Sequence, residues 1–79
     1  MEMNEIKNKV CEIIAGICGV APSEITENSS VGDYPQWDSV GHLSILSQVE
    51  EAFDISFEPE EMMDIEDVND IIKTVNAKL

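Results

Sequence analysis

Apolar residues recur along this chain at helical spacing in three separate segments, with polar residues between them. In the first segment the apolar residues are spaced three, four and seven positions apart, which predicts an amphipathic helix that ends near Gly19. A second helix is predicted from about Ser39 to Phe53, with Ile45 and Ala52 on the flank of its stripe, and a third from roughly Asp67 to Lys78. The three stripes consist of Met3, Ile6, Val10, Ile13, Ile14 and Ile17; of Leu43, Leu46, Val49 and Phe53; and of Val68, Ile71, Ile72, Val75 and Leu79.

Between the first two helices the period is lost from Val20 to Asp38, and proline, glycine, asparagine and serine become frequent. This segment predicts a long loop, within which residues 22–25 could form a single helical turn. Long loops in compact domains are usually functional or disordered, and four apolar side chains favour an ordered one here. These anchors are Ile25, Val31, Tyr34 and Trp37.

A short fourth helix is predicted at Glu58–Met63, where proline stands at the first helical position and acidic residues fill the first turn. The chain shows no strand pattern and no internal repeat. We therefore expect an all-α fold, a small four-helix bundle with three main helices and one short helix. Residues 1–79 are expected to form a single domain, with its long loop between the first and second helices.

The charge of the chain is unbalanced, with 17 acidic residues, 4 lysines, no arginine and a net charge of −13. A surface this acidic repels nucleic acid and anionic lipid, so neither is expected as a partner. Hydrophobic residues make up 43% of the chain, which favours a folded domain over a disordered one. Fifteen acids lie between Lys9 and Lys73 with no lysine or arginine among them, so internal ion pairs are mostly excluded there. This interval either keeps the protein in solution or forms a surface that cationic partners recognise.

The N-terminal residues contain no apolar run of the length of a signal peptide or a membrane span, so we expect a cytosolic protein. Cys11 and Cys18 lie seven residues apart in a predicted helix, which separates their Cα atoms by about 10.5 Å, too far for a disulfide. Two cysteines and one histidine also fall short of a structural zinc site. Reduced, core-flanking thiols and no metal are expected.

The start of the second helix is the most informative part of the sequence. Asp38 and Ser39 can both cap a helix, and if Asp38 does so, the Ser39 hydroxyl is left free in the first turn. A helix N-terminus favours a phosphate group at that position. Val40 lies off the predicted core stripe, and Gly41 costs about 1 kcal/mol in a helix. Close approach of another molecule would explain this glycine.

Hydrolysis by Ser39 is an alternative, because His42 lies one helical turn later on the same face. The sequence around the serine, WDSVG, lacks the glycine two residues before it and the preceding strand that a nucleophile elbow requires. A core of this size is also not expected to enclose a substrate. The residues therefore favour a protein that is not an enzyme.

The segment WDSVGHLSILSQVEEAF resembles the acyl carrier protein family, whose signature is Asp-Ser-Leu at the start of the second helix. The resemblance extends over nearly the whole chain and implies a carrier of acyl or aminoacyl groups rather than a catalyst. It implies that a phosphopantetheinyl transferase moves 4′-phosphopantetheine from coenzyme A onto Ser39, where its thiol holds acyl groups as thioesters. Asp38 would help to position the metal and coenzyme A of the transferase. The implied docking contacts are Val40, Glu50, Glu51 and Met62.

The chain departs from the family pattern in the second helix. Val40 replaces the usual leucine, and uncharged residues or histidine occupy positions that are often acidic in fatty-acid-synthase carriers. The sequence looks more like a specialised discrete carrier, a monomer that serves adenylating ligases, synthases or transferases with basic docking surfaces. Its pathway would be lipid, secondary-metabolite, peptidyl or cell-envelope biosynthesis. The alternative is an acidic helical interaction module that carries no prosthetic group.

Overall fold

A computed structural model describes residues 2–79, which form four α-helices and a short 3₁₀ turn. The helices are α1 (Met3–Cys18), α2 (Ser39–Phe53), α3 (Pro59–Asp64) and α4 (Val68–Lys78), and the 3₁₀ turn is Pro22–Glu24. Within this range the only extended pairing is an isolated antiparallel bridge between Ser30 and Asp67. The all-α bundle with three main helices and one short helix is confirmed.

The core forms around α1, which packs against α2, α4 and the 3₁₀ turn. Helix α1 ends at Gly19, whose left-handed backbone (φ 73°) lets its N–H bond the Ala15 carbonyl at 2.8 Å. The fully buried side chains are Ile6, Val10, Ile14, Trp37, Ile45, Leu46, Val49, Val68, Ile71 and Val75. Trp37 is the largest of them and comes from the loop rather than from a helix, so the loop contributes to the core directly.

The predicted apolar stripe of α2 was wrong at two positions. Ile45, predicted on the flank, is fully buried, and Leu43, predicted in the stripe, is 57% exposed. The inward face of α2 is completed by the polar residue His42, which lies four residues before Leu46 and seven before Val49. Apolar spacing alone does not place a histidine on a core face, so the predicted stripe was rotated toward Leu43.

The predicted stripe of α1 also differs from its buried face. Met3 is 49% exposed, while Cys11, Ala15 and Cys18 are buried. Small side chains on this face allow the neighbouring helices and the 3₁₀ turn to approach α1 closely. Leu79, predicted in the stripe of the last helix, is exposed beyond the end of α4.

The long loop is ordered, as predicted, because main-chain hydrogen bonds join it to the start of α4. The N–H of Val31 donates to the Glu66 carbonyl at 3.0 Å, and the N–H of Val68 donates to the Ser29 carbonyl at 2.9 Å. Asp67 then caps α4 by accepting the Asp70 N–H at 2.8 Å. The loop that leads to α2 is therefore fixed to the start of α4.

The predicted apolar anchors of the loop are mostly correct. Ile25 and Trp37 are buried, and Tyr34 is half-buried with its hydroxyl donating to the Glu24 carbonyl at 3.3 Å. Val31 is 39% exposed and does not anchor the loop with its side chain. Its backbone is held instead by the bridge to α4.

Two ion pairs join lysines that lie outside the base-free interval between Lys9 and Lys73 to acidic residues inside it. Lys7 lies 3.3 Å from Glu27, and Lys78 lies 2.8 Å from Glu61. The expectation of few internal ion pairs was thus incomplete, because lysines outside the interval in sequence reach acids inside it once the chain folds.

The two cysteines are free and buried, and burial raises the pKa of each thiol. Across residues 2–79 no group of three or more potential metal ligands is found. In the same range no helix has the length and apolar character needed to cross a membrane.

Candidate functional site

Asp38, not Ser39, is the N-cap of α2. Its backbone is extended and its Oδ1 accepts the Gly41 N–H at 2.8 Å, while its carbonyl accepts the His42 N–H at 2.8 Å. Ser39 is the first helical residue and is exposed. Among residues 2–79 the Ser39 hydroxyl has no hydrogen-bond partner, so it is available for chemistry with another molecule.

The surroundings of Ser39 suit a phosphate group. The helix behind it has 15 residues, long enough for its dipole to place partial positive charge at the first turn. In the described part of the chain, the main-chain N–H groups of Ser39 and Val40 also have no protein acceptor. A phosphodiester on the Ser39 oxygen would therefore stand beside free donors at the positive end of α2. The residues present fit a 4′-phosphopantetheine group.

Gly41 is required by the fold of this chain itself. It is buried, and a β-carbon built on it would overlap the main-chain carbonyl oxygen of Gln36. The loop therefore packs backbone against backbone on the first turn of α2. The expectation that another molecule approaches this glycine was wrong, since the neighbour is Gln36.

His42 has a structural position that excludes it as a general base for Ser39. Its Nδ1 lies 2.9 Å from the Trp37 Nε1, and its Nε2 lies 3.0 Å from the Ile65 carbonyl oxygen. An indole N–H can only donate and a carbonyl can only accept, so Nδ1 accepts and Nε2 donates its proton. Both ring nitrogens are therefore used within the fold. The serine hydrolase alternative lacks its base.

The rings of Trp37 and His42 lie edge to edge along this hydrogen bond, with centroids 6.2 Å apart and planes 22° apart. Sequence reasoning considered His42 for catalysis and missed this pairing. The signal that could have revealed it is the helical spacing from His42 to Leu46 and Val49, together with an indole five residues earlier that needs an acceptor.

Three exposed apolar side chains lie on α2, which begins with Ser39, and on α3. Val40 is 72% exposed, as its position off the core stripe predicted, and Leu43 is 57% exposed one turn later. Met63 of α3 is 82% exposed, whereas Met62 is half-buried and packs against the core. Sequence reasoning selected Val40 and Met62 but not Leu43 or Met63.

The two glutamates near the end of α2 differ in their surroundings. Glu50 is half-buried, and its Oε2 accepts the Phe57 N–H at 2.7 Å, which ties α2 to the link before α3. Glu51 is exposed. The exposed residues between Ser39 and Gln48 carry no charge, so the negative charge of α2 lies toward its C-terminal end.

Comparison with known proteins identifies related chains over nearly the full length. A family model described as "Phosphopantetheine attachment site" matches residues 8–75. The chain is 32% identical over 78 residues to an acyl carrier protein of Prochlorococcus marinus (strain MIT 9515), covering 99% of this chain and 98% of that protein. An acyl carrier protein of Amoebophilus asiaticus (strain 5a2) is 27% identical, covering 98% and 96% respectively. A meromycolate extension acyl carrier protein of Mycobacterium leprae (strain TN) is 31% identical, covering 86% and 59%.

Proposed function

Because this chain belongs to the acyl carrier protein family and contains its phosphopantetheine attachment site, we propose that Ser39 bears the covalent 4′-phosphopantetheine group. The observation that carries the proposal is the exposed, unbonded Ser39 hydroxyl at the N-terminus of α2. The chain functions as a carrier of acyl groups. The terminal thiol of the bound group holds them as thioesters.

In the proposed attachment, the Ser39 oxygen forms a bond to the phosphorus that carries pantetheine in coenzyme A. The bond from that phosphorus to the bridging oxygen breaks, 3′,5′-ADP leaves, and the Ser39 proton passes to a base of the transferase. Within the carrier, the positive end of α2 stabilises the added negative charge of the phosphodiester. No group of the carrier needs to act as an acid or base.

Asp38 is proposed to support this modification in two ways. Its Oδ1 caps α2 through the Gly41 N–H and thereby fixes the first turn that contains Ser39. Its carboxylate charge is exposed beside Ser39, where it can help to position the metal and coenzyme A of the transferase. The capping and the charge can be separated by substitution with asparagine, which caps equally well.

Acyl carrier proteins interact with phosphopantetheinyl transferases and with biosynthetic enzymes, and the family is non-catalytic. We propose that the partners of this chain dock over Val40 and Met62, next to the proposed attachment point. Glu51 would add attraction for basic partner surfaces, with Glu50 contributing charge from a half-buried position. The carrier itself would be a cytoplasmic monomer without enzymatic activity.

The surface of α2 supports activating ligases as partners rather than a fatty acid synthase. From Ser39 to Gln48 its exposed residues are uncharged, and its apolar members Val40 and Leu43 lie on neighbouring turns. Apart from the Asp38 carboxylate, a partner covering Ser39 would meet apolar and hydroxyl groups first and further acidic groups only toward the end of α2. Acyl- or aminoacyl-activating ligases of lipid or secondary-metabolite pathways are the proposed class.

Intact-mass measurement after incubation with coenzyme A and a broad-specificity transferase tests the proposal. Wild type should gain one phosphopantetheine, and Ser39→Ala should gain none. Ser44→Ala removes an exposed hydroxyl from the same helix and should be modified like wild type. Absence of modification of wild type by several transferases would contradict the proposal and would favour an acidic interaction module without a prosthetic group.

A further inference from the structure

We infer that His42 is a positioning residue for the modification of Ser39, because it holds the first turn of α2 through Trp37 and Ile65. This inference rests on the proposed function of Ser39. Among residues 2–79 His42 makes no hydrogen bond to Ser39, and its ring nitrogens are bonded elsewhere, so its effect passes through the backbone of residues 37–42.

The hydrogen bonds of His42 join three segments that meet near Ser39. Trp37 ends the long loop and directly precedes the cap of α2, and Ile65 follows α3 and leads toward α4. The Trp37 indole donates to His42 at 2.9 Å, and His42 donates to the Ile65 carbonyl at 3.0 Å. The start of α2 is thereby connected both to the loop before it and to the α3–α4 link.

Only one arrangement of the ring satisfies both neighbours. The indole N–H requires an acceptor and the carbonyl requires a donor, so the imidazole must be neutral with its proton on Nε2. A half-turn of the ring would place carbon atoms where both nitrogens now lie. The indole of Trp37, a fully buried side chain, lies within 22° of the imidazole plane, so the in-plane hydrogen bond restrains the ring plane as well. Both hydrogen bonds therefore depend on the orientation of the His42 ring as well as on its position.

Two further contacts restrain the same turn. Gln36 packs its carbonyl against Gly41, and Asp38 accepts the Gly41 N–H. Together with the Trp37–His42 bond, these contacts fix Gln36, Trp37 and Asp38 to the first turn of α2. Ser39 is the first residue of that turn. Ser39 is thus presented from a backbone with little freedom to rearrange.

Loss of the His42 bonds should lower the fraction of molecules in which this turn is in place. A transferase that binds only this form would show an apparent affinity reduced in proportion to that fraction. The chemical step within the bound complex should be unaffected, because both ring nitrogens of His42 are hydrogen-bonded to residues other than Ser39. The expected signature is therefore an increase in KM for the carrier with little change in kcat.

The test compares His42→Phe, which keeps a ring but removes both nitrogens, with His42→Gln, which keeps a donor and an acceptor. Steady-state modification by coenzyme A and a transferase should show KM raised about tenfold in His42→Phe and kcat within about twofold. Such a rise corresponds to the ordered turn being present in about one tenth of the molecules once both hydrogen bonds of His42 are lost. His42→Gln should recover most of the wild-type KM. Tyr34→Phe, which loses a hydrogen bond elsewhere in the same loop, should leave KM unchanged.

The only indole of the chain gives an independent readout. Its N–H resonance should be protected from hydrogen exchange in wild type and His42→Gln, and unprotected in His42→Phe. If His42→Phe fails to fold, His42→Leu removes the same two bonds with a smaller apolar side chain and should give the same rise in KM. If the variant that lacks the bonds has the KM and kcat of wild type, or if only its kcat falls, the inference about His42 is wrong while Ser39 is still the modified residue. Failure of wild type to be modified would overturn both.

Discussion

Gly41 lies so close to the main-chain carbonyl of Gln36 that no larger side chain fits between them. Glycine within a helix normally reduces stability, so its presence in the first turn of α2 has a specific cause. The contact sets the angle at which the long loop joins α2 and therefore the position of Ser39, two residues earlier. A residue that weakens the isolated helix is thus required by its packing.

Substitution of Gly41 by alanine should therefore destabilise the protein, in contrast to the usual effect of Gly→Ala in a helix. We expect a loss of about 1–3 kcal/mol in the free energy of unfolding, since the new β-carbon must displace the Gln36 backbone. Gly16→Ala is the matched control, because Gly16 is helical and exposed and a β-carbon there meets no atom within 4 Å. It should gain about 0.5–1 kcal/mol. Urea unfolding measures both, and stabilisation by Gly41→Ala would show that the packing at Gln36 is loose.

The fold of this chain was largely predictable because its local signals agree. Gly19 stops α1, proline begins α3, and the start of α2 follows from the cap-forming residue before it. The orientation of α2 was harder to predict, because the polar residue His42 lies on its inward face and a pattern of apolar residues does not include it. The ring is stabilised there because Trp37 donates a hydrogen bond to it and the Ile65 carbonyl accepts one from it, and these two residues are remote from one another in sequence.

The candidate site, like the fold, could be predicted from the sequence only where neighbouring residues determine it. The exposure of Ser39 and the choice of Asp38 as cap follow from residue types that lie side by side in the sequence. The role of Gly41 and the bond from Glu50 to the Phe57 N–H depend on how separate segments meet. Contacts of that kind are set by tertiary packing, so local sequence rules do not contain them.

Replacing Asp38 by asparagine should separate capping from charge. Asparagine can accept the Gly41 N–H, so the free energy of unfolding should change by less than about 0.5 kcal/mol. If the carboxylate helps to position the metal of the transferase, modification of Ser39 should nevertheless slow markedly. Asp38→Ala should both slow modification and destabilise the fold by about 1 kcal/mol. An unchanged rate of modification in Asp38→Asn would limit the role of this residue to capping.

Reversal of Glu51 to lysine should slow modification by a basic transferase at low salt, with the effect fading as salt is added. Glu51 is exposed, so the stability should change by less than about 0.5 kcal/mol. Glu12→Lys alters net charge equally on α1 and should have a smaller effect on the rate. Equal effects of the two variants would indicate that total charge, rather than the α2 surface, governs docking.

Glu50→Lys should behave differently from Glu51→Lys, because it removes the acceptor of the Phe57 N–H. We expect a loss of about 1–2 kcal/mol in unfolding free energy, measured with urea. Slow modification of this variant would therefore not by itself indicate docking. Glu50→Gln retains an oxygen acceptor and is the control that distinguishes the lost hydrogen bond from the lost charge.

The Glu61–Lys78 ion pair should make stability depend on pH. The hydrogen bond from Lys78, and next the N–H of Glu58, hold the pKa of Glu61 below its ordinary value of 4.5. A carboxylate with a lowered pKa contributes stability above its unfolded-state pKa, and that contribution is lost as the pH falls through the folded-state value. Glu61→Gln should be less stable than wild type at pH 7, and the difference should shrink below about pH 4.5. Glu60→Gln, an exposed neighbour, controls for the loss of one negative charge, and a pH-independent difference for Glu61→Gln would contradict the assignment.

Peptide mapping of the modified protein tests the central claim most directly. Cleavage before aspartate releases the fragment 38–53, which contains Ser39, Ser44 and Ser47, and tandem mass spectrometry distinguishes the three. The proposed function predicts phosphopantetheine on Ser39 alone in wild type and no modified fragment in Ser39→Ala. Phosphopantetheine on Ser44 or Ser47, or an unmodified fragment after treatment with an active transferase, would contradict it.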